Sequence, residues 1–473
     1  MLATLVAKSG PRTVPIIAVP RAEWRRRLAA ESASVRAWAE TTHFTGEAGQ
    51  SFLVPGVKGN LTKVFLVLPA LSDGKNGGYG GAPSGGALWA WAALPSRLPA
   101  ATYRIDSDLD PAAATEAALG WALGSYAFTR YGAKAPSFAR LVWPKGADRG
   151  EAERTATATY LVRDLVTTPA SDMGPEELAA AANAAVTPFQ ARVTTIVGDK
   201  LLDKNYPAIH AVGRASPRAP RLVDISWGDR GAARVTLVGK GVCFDSGGLD
   251  LKPASGMKMM KKDMAGAAQA LALGTMIMAA GLDVRLRILL PMVENSVAGN
   301  AFRPMDVLQT RKGITVEVGN TDAEGRLILA DALTEADRDK PEFLCDFATL
   351  TGAARTALGT EIPVLFANDR ALSEAIQSAG EEASDPVWPL PLWAPYRPKL
   401  SSKVASINNI SEGPYAGAIT AALFLNEFVS AKTPWAHLDF MGWNESSRPG
   451  RPDGGEAQGM RAFYRAIAKR FGA

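Results

Sequence analysis

The order of apolar and polar residues predicts an alternation of strands and helices along most of the chain. In the first third, Lys63-Val64-Phe65-Leu66-Val67-Leu68 is a short, nearly continuous apolar run that predicts a strand, and Ala112–Tyr131 carries apolar residues at helical spacing. Glu151–Val166 is helical by the same spacing. Thr167-Thr168-Pro169 then breaks it, because a residue before proline is pushed out of the helical region. Pro175, followed by Glu176 and Glu177, has the form of a first helical turn, with acidic residues where the helix dipole favours them. Beyond it, Val235–Val238, Val284–Leu290, Ile314–Val318 and Phe343–Ala348 predict strands, while Met260–Ala280 and Leu327–Ala336 predict helices. This pattern predicts an α/β protein with a smaller N-terminal α/β domain over residues 1–150 and a connecting helix and linker over 151–170. A larger C-terminal α/β domain over 171–473 follows, its mixed, mostly parallel central sheet flanked by helices. In such sheets functional groups gather beyond the carboxyl ends of the strands.

Composition narrows the function classes. With 47% hydrophobic and 21% charged residues in 473, the chain is able to bury a large core and is not a disordered polymer. A formal charge of +5 is small for this length and gives no reason to expect nucleic acid as the main partner. Two cysteines, Cys243 and Cys345, exclude a disulfide framework and a four-cysteine zinc site and lead us to expect a reducing, cytoplasmic setting. Lys8, Pro11, Arg12 and Pro15 interrupt the apolar N-terminus, so no signal peptide is expected, and no run of 18 uninterrupted apolar residues predicts a membrane span. Arg21, Arg25, Arg26 and Arg27, beside Trp24 and Leu28, predict the solvated face of an amphipathic helix. The glycine-rich stretch 74–81 has neither dinucleotide nor P-loop spacing and is expected to be a surface loop rather than a phosphate cradle.

Only three histidines occur, His43, His210 and His437, so any metal chemistry must rest mainly on oxygen ligands. Two loops after predicted strands are crowded with ionisable groups that a core would not tolerate unpaired. The first, Gly239-Lys240-Gly241-Val242-Cys243-Phe244-Asp245-Ser246-Gly247-Gly248, is followed by Lys252 and by Asp263 near the start of the alanine-rich helix. The second, Asn320-Thr321-Asp322-Ala323-Glu324-Gly325-Arg326, alternates Asp322, Glu324 and Arg326, which an extended backbone would project to one side. Each carboxylate alone is an ordinary helix cap, turn former or ion-pair partner. Brought together, Asp245, Asp263, Asp322 and Glu324 would repel one another unless cations lay between them, and two divalent ions are the simplest remedy. Mg²⁺, Mn²⁺ and Zn²⁺ all accept such ligands.

These residues resemble those of a known family, the leucyl (cytosol) aminopeptidases of peptidase family M17. Asn320-Thr321-Asp322-Ala323-Glu324-Gly325-Arg326-Leu327 matches the family's signature octapeptide, and Val238-Gly239-Lys240-Gly241 with Phe244-Asp245-Ser246-Gly247-Gly248 matches its other hallmark. The likeness continues through Pro291-Met292-Val293-Glu294-Asn295, Thr349-Leu350-Thr351-Gly352-Ala353 and Gly417-Ala418-Ile419-Thr420-Ala421-Ala422 and covers about residues 160–445; the N-terminal domain carries no matching motif. The resemblance implies a hydrolase with two divalent metals, Mn²⁺ or Zn²⁺ with Mg²⁺ as a further candidate. One would be held by Lys240, Asp245, Asp263 and Glu324, the other by Asp245, Asp322 and Glu324. It also implies Lys252 as the oxyanion-stabilising group and Arg326 as the holder of a bicarbonate acting as general base. Met260, Thr349, Leu350 and Gly352 would lie about the substrate's first side chain.

By the same resemblance the protein is a cytoplasmic homohexamer, a dimer of trimers, that releases leucine and other apolar N-terminal residues from peptides. Its rivals are a DNA-binding regulator on the same scaffold and a catalytically dead one. Two departures from the family pattern stand out. Lys258, Lys261 and Lys262 replace an expected acidic residue, an arginine and a small residue, and Thr167 replaces an asparagine.

Overall fold

The computed structural model describes residues 2–69, 86–134 and 136–472, so the glycine-rich stretch 74–81 lies outside the described residues. The chain divides into two compact units, 1–160 with 446–453, and 161–445 with 454–473.

The first unit is built on a six-stranded sheet, β1 (Leu5–Val6), β2 (Val14–Pro20), β3 (Ser51–Pro55), β4 (Leu61–Leu68), β5 (Thr102–Ile105) and β6 (Arg140–Val142). Its spatial order is β1-β6-β5-β2-β4-β3, parallel except for the antiparallel edge strand β3. Trp24 leads the short helix Trp24–Ala29 and is buried edge-on against Phe44, Phe52 and Phe65, with ring centroids 5.0 to 6.1 Å away. The arginines around it face solvent, where Arg21, Arg26 and Arg27 pair with Glu47, Glu23 and Glu31. Helix α1 (Pro111–Gly124) starts on an Asp110 cap and stops well short of Tyr131. At its end Ser125 turns back to donate to Trp121 O, and the aromatic run beyond leaves the helix to pair among itself, Phe128 with Tyr131 at 6.0 Å. Helix α2 (Arg149–Thr167) carries the chain into the second unit.

The second unit holds the sheet that matters for chemistry. Its strands are β7 (Arg192–Val197), β8 (Arg221–Trp227), β9 (Ala233–Gly239), β10 (Gly241–Asp245), β11 (Val284–Asn295), β14 (Phe343–Ala348), β15 (Val364–Ala367), β16 (Trp388–Pro389) and β18 (Trp435–Asp439). The order is β16-β15-β18-β14-β9-β11-β8-β7, with β10 beside the end of β11. The central run β18-β14-β9-β11 is parallel, and antiparallel strands border it on both sides. Three further strands, β12 (Val307–Leu308), β13 (Val316–Glu317) and β17 (Ile407–Asn408), form a small separate sheet, and Trp443–Asn444 pairs antiparallel with Gly454–Gly455. The strand expected over Ile314–Val318 is therefore reduced to two residues outside the main sheet, because the chain turns away at Gly319 into the second charged loop.

Alternation along β11 places helices on both faces of this sheet. Ile288 lies against Gly274 of α4 (Ala265–Ala280), so close that a Cβ on that glycine would fall 2.2 Å from Ile288 Cδ1. Leu289 and Val293 point the other way, into a core shared with Leu327, Ile328 and Leu333 of α5 (Gly325–Arg338). Met260–Ala280 has the length and apolarity of a membrane span, yet 83% of that window is buried inside the protein, as befits a core helix. Its first turn, Met260–Met264, is 3-10 rather than α-helical, which turns Lys262 and Asp263 inward. Helix α3 (Pro175–Val186) and the short α6 (Gly352–Leu358) complete what the site requires.

Candidate active site

The carboxyl ends of the parallel strands deliver the charged residues to one place. Lys240 follows β9, Asp245 ends β10, Asn295 ends β11, Thr349 follows β14 and Asp439 ends β18. Gly266, at the start of α4, lets that helix seat on these ends, since a Cβ there would lie 2.1 Å from Phe347 O.

Lys240 is 3% exposed, and its ammonium lies 2.8 Å from Asp263 Oδ2 and 3.1 Å from Glu324 Oε1 while donating to Thr349 O at 3.2 Å. Lys252 lies 2.8 Å from Asp245 Oδ2 and also contacts Asp322 Oδ1. Asp245 Oδ1 accepts from Gly247 N and Asn295 Nδ2, each at 2.9 Å, and Asp263 Oδ1 accepts from Thr349 Oγ1 at 2.6 Å. One ligating oxygen from each of Asp245, Asp322 and Glu324 falls within 4.8 Å of the others. The structure thus gathers Lys240, Asp245, Lys252, Asp263, Asp322 and Glu324 into a single cluster.

Electrostatics in the cluster follow from burial and mutual repulsion. Burial, then the charge of Asp245, push Glu324 up to about 8 and Asp322 up to about 6. Burial acts the same way on Asp263, but Lys240 and then Lys262 overcome it and hold this carboxyl below its usual range. Burial would lower Lys240 and Lys252, yet the surrounding carboxylates keep both well above the ordinary lysine range. Asp263 Oδ2, Asp322 Oδ1 and Glu324 Oε1 have lysine ammonium groups in ion-pair reach but no hydrogen bond of good geometry. Buried carboxylate oxygens in this condition fit hard divalent cations, as does the all-oxygen donor set of Asp245, Asp322 and Glu324.

The two charged loops are laced together. Thr321 Oγ1 donates to Gly247 O at 2.6 Å, Asp250 Oδ2 accepts from Thr321 N at 2.7 Å, and Thr321 Oγ1 accepts from Asp250 N at 2.8 Å. Asn409, fully buried, accepts from Gly319 N and donates to Asn320 O, both at 2.8 Å, and so pins the loop that carries Asp322 and Glu324. Arg326 donates through Nη1 to Asn409 O, while its buried Nε has no partner, and burial lowers the guanidinium to about 10 against the opposing pull of Glu324 and Asp439. Asp439 accepts from Leu350 N at 2.9 Å and from Thr351 Oγ1 at 2.6 Å, fixing the turn after β14. Asn295 appears in the sequence only as part of a motif. Asn409 and Asp439 carry no local signal at all, because each acts on a loop more than 80 residues away.

Of the residues expected about the substrate, Thr349 is inside the cluster through Asp263 and Lys240. Met260 stands on the 3-10 turn that carries Asp263, and Leu350 and Gly352 follow Thr349. Thr167 has a structural task, its Oγ1 accepting from Gly455 N at 3.0 Å. Gly325 is required by Lys240: a Cβ there would lie 2.4 Å from Lys240 Cε and 2.6 Å from Nζ. Gly325→Ala is accordingly expected to push Lys240 off Asp263 and Glu324 and to lower kcat/KM at least about tenfold, or about 1.4 kcal/mol in transition-state stabilisation. Circular dichroism should remain that of the parent, since alanine is the better helix former; an unchanged kcat/KM would show that Lys240 need not hold this position.

Comparison with known proteins agrees in both units. Residues 160–464 match the family model described as "Cytosol aminopeptidase family, catalytic domain", and residues 14–144 match "M17 aminopeptidase, N-terminal domain", a likeness no motif in the N-terminal sequence discloses. A probable cytosol aminopeptidase of Geobacter sp. (strain M21) is 38% identical over 454 residues, covering 91% of each chain. The crystal structure of a cytosol aminopeptidase from Coxiella burnetii superposes with a TM-score of 0.92 at 44% identity, covering 99% of this chain and 100% of that one. The bottromycin maturation enzyme BotP in complex with Mn superposes with a TM-score of 0.83 at 32% identity, covering 97% of this chain and 99% of the other.

Proposed function

This chain belongs to the cytosol aminopeptidase family, and from that premise we propose that it is a metal-dependent exopeptidase using two divalent ions to release N-terminal residues from peptides. The observation that carries the reading is the convergence of four carboxylates at the strand ends, with ligating oxygens of Asp245, Asp322 and Glu324 within 4.8 Å of one another. In it Lys240, Asp245, Asp263 and Glu324 would hold one ion, and Asp245, Asp322 and Glu324 the other. Such ions, when bound, polarise a scissile carbonyl and acidify water enough to attack at neutral pH.

The chain's own groups have separate tasks. Lys240 would ligate as the neutral amine, once Asp263 and Glu324, whose charges keep it protonated, were neutralised by bound ions. Lys252, whose ammonium lies at Asp245 and Asp322, stabilises the negative charge that develops on the carbonyl oxygen. Arg326, with a guanidinium Nε free of partners, would hold a bicarbonate, which would supply the general base. Met260, Thr349, Leu350 and Gly352 border the first side chain, giving leucine and other apolar residues an apolar wall. Both thiols are buried and free, which suits a cytoplasmic enzyme. A homohexamer of two stacked trimers is the assembly the family resemblance supports.

The test is hydrolysis of leucine-p-nitroanilide after exhaustive chelation and again after adding Mn²⁺, Zn²⁺ or Mg²⁺. Activity should vanish with chelation and return with metal, and the ion giving the highest kcat identifies the working metal. Full activity in the chelated protein would reject metal dependence.

A further inference from the structure

Asn295 ends β11 as a buried residue, and its amide spans the two charged loops. Its Nδ2 donates to Asp245 Oδ1 at 2.9 Å in the first loop and to Thr321 O at 3.1 Å in the second. Both partners can only accept, so reversing the amide would set its carbonyl against two other oxygens. Its Oδ1 has no partner and lies against Gly248, where a Cβ would fall 2.8 Å away. A buried acceptor left unsatisfied is costly, and an apolar side chain would avoid that cost. What only the amide provides is the pair of N–H donors.

The strands are arranged to deliver this contact. The pairing of β10 with β11 slips by one residue at Cys243: Val242 stands opposite Val293, but Phe244 stands opposite Glu294 and Asp245 opposite Asn295. An unbroken register would have carried Asp245 one position past Asn295, with its side chain matched to the wrong face. The Asn295 backbone holds the first loop as well, its O accepting from Ser246 N at 3.1 Å and from Ser246 Oγ at 2.7 Å. In the second loop Thr321 directly precedes Asp322, whose own N–H donates to Asn320 Oδ1 at 2.7 Å. One amide therefore ties the backbone beside Asp322 to the carboxylate of Asp245.

We propose that Asn295 is a positioning residue that sets Asp245 against Asp322, and that it supports the ion assigned to Asp245, Asp322 and Glu324 far more than the ion assigned to Lys240, Asp245, Asp263 and Glu324. The inference rests on the two-ion reading given above. Of the first ion's ligands, Asp245 accepts from Asn295 directly and Asp322 is one residue from its second contact. Of the other ion's ligands only Asp245 touches it. Lys240 and Asp263 are held instead by Thr349, through its O and its hydroxyl, and among the described residues no hydrogen bond joins Asn295 to Lys240, Asp263 or Glu324. Groups that orient metal ligands from outside contribute about 10–100-fold to metal affinity.

The experiment is calorimetric titration of Mn²⁺ into the metal-stripped full chain, in the parent and in Asn295→Ala, with thermal unfolding of both stripped proteins alongside. The parent should take two equivalents. Asn295→Ala should take one of them with affinity within about threefold of the parent's, while the other weakens about 10–100-fold. Asn295→Ser, whose hydroxyl stops one bond short of both acceptors, should show the same split, and it carries the test if Asn295→Ala fails to fold. Two equivalents at parental affinity in a folded variant, with only the unfolding temperature lowered, would make Asn295 structural alone and overturn the inference. Equal weakening of both equivalents would overturn the selective support of the Asp245–Asp322 pair. A parent that binds no Mn²⁺ would overturn the two-ion reading itself.

Discussion

Glu324→Ala should abolish turnover and strip the protein of metal. Glu324 is 1% exposed, with Lys240 at 3.1 Å on one oxygen and with Asp245 and Asp322 close by, and in the proposed arrangement it is, with Asp245, one of the two carboxylates that would serve both ions. Removing it takes a ligand from each, and no neighbouring side chain can replace it. We expect kcat/KM to fall by at least about three orders of magnitude, or about 4 kcal/mol in transition-state stabilisation. Metal content by elemental analysis should drop in parallel. The fold should survive, because the change removes a buried carboxyl that burial, and then the charge of Asp245, push up to about 8. A variant that kept full metal content and activity would show that the ions, if bound, are not bridged here.

Lys252→Ala should separate catalysis from metal binding. Its ammonium lies against Asp245 and Asp322 at the open edge of the cluster, and its side chain is 13% exposed. Removing one positive charge from beside two carboxylates leaves their oxygens more available to cations, so metal content should hold. The loss should fall on the step in which negative charge develops on the substrate, lowering kcat about 10²–10³-fold, the range seen when one oxyanion-stabilising donor is removed. KM for leucine-p-nitroanilide should change little. An unchanged kcat would remove Lys252 from the chemistry, and a loss of metal would make it a structural member of the cluster instead.

The parts of this site that the sequence discloses are those with local grammar. Lys240 and Asp245 share one glycine-rich loop, Asp322, Glu324 and Arg326 share another, and both follow apolar runs that read as strands. The family resemblance of the catalytic unit rests on the same segments. The parts that escape are held by long-range contacts. Asn409 clamps the 319–323 loop from some 90 residues away, and Asp439 orders the turn at Leu350 from across two adjacent strands. Nothing in their own neighbourhood announces either task. Periodicity also blurs where geometry changes gradually: Met260–Ala280 reads as one helix, but its opening 3-10 turn is what presents Lys262 and Asp263 to the interior. In the N-terminal unit, apolar alternation gives a general α/β reading, and only comparison with whole families assigns it further.

The parallel run β18-β14-β9-β11 also governs when this site can come into being. Parallel neighbours cannot be joined by a tight hairpin, so each pairing waits for a long stretch of chain to close, and such non-local order forms slowly. Lys240, Asp245, Thr349 and Asp439 meet only when strands drawn from residues 233 to 439 are in register. Any ion held by these residues would therefore bind late, locking a finished sheet rather than templating an unfinished one. A nascent chain crosses the interval before closure with apolar strand edges unpaired and its carboxylates still scattered, so on the proposed reading added metal would offer it no protection against aggregation in that interval.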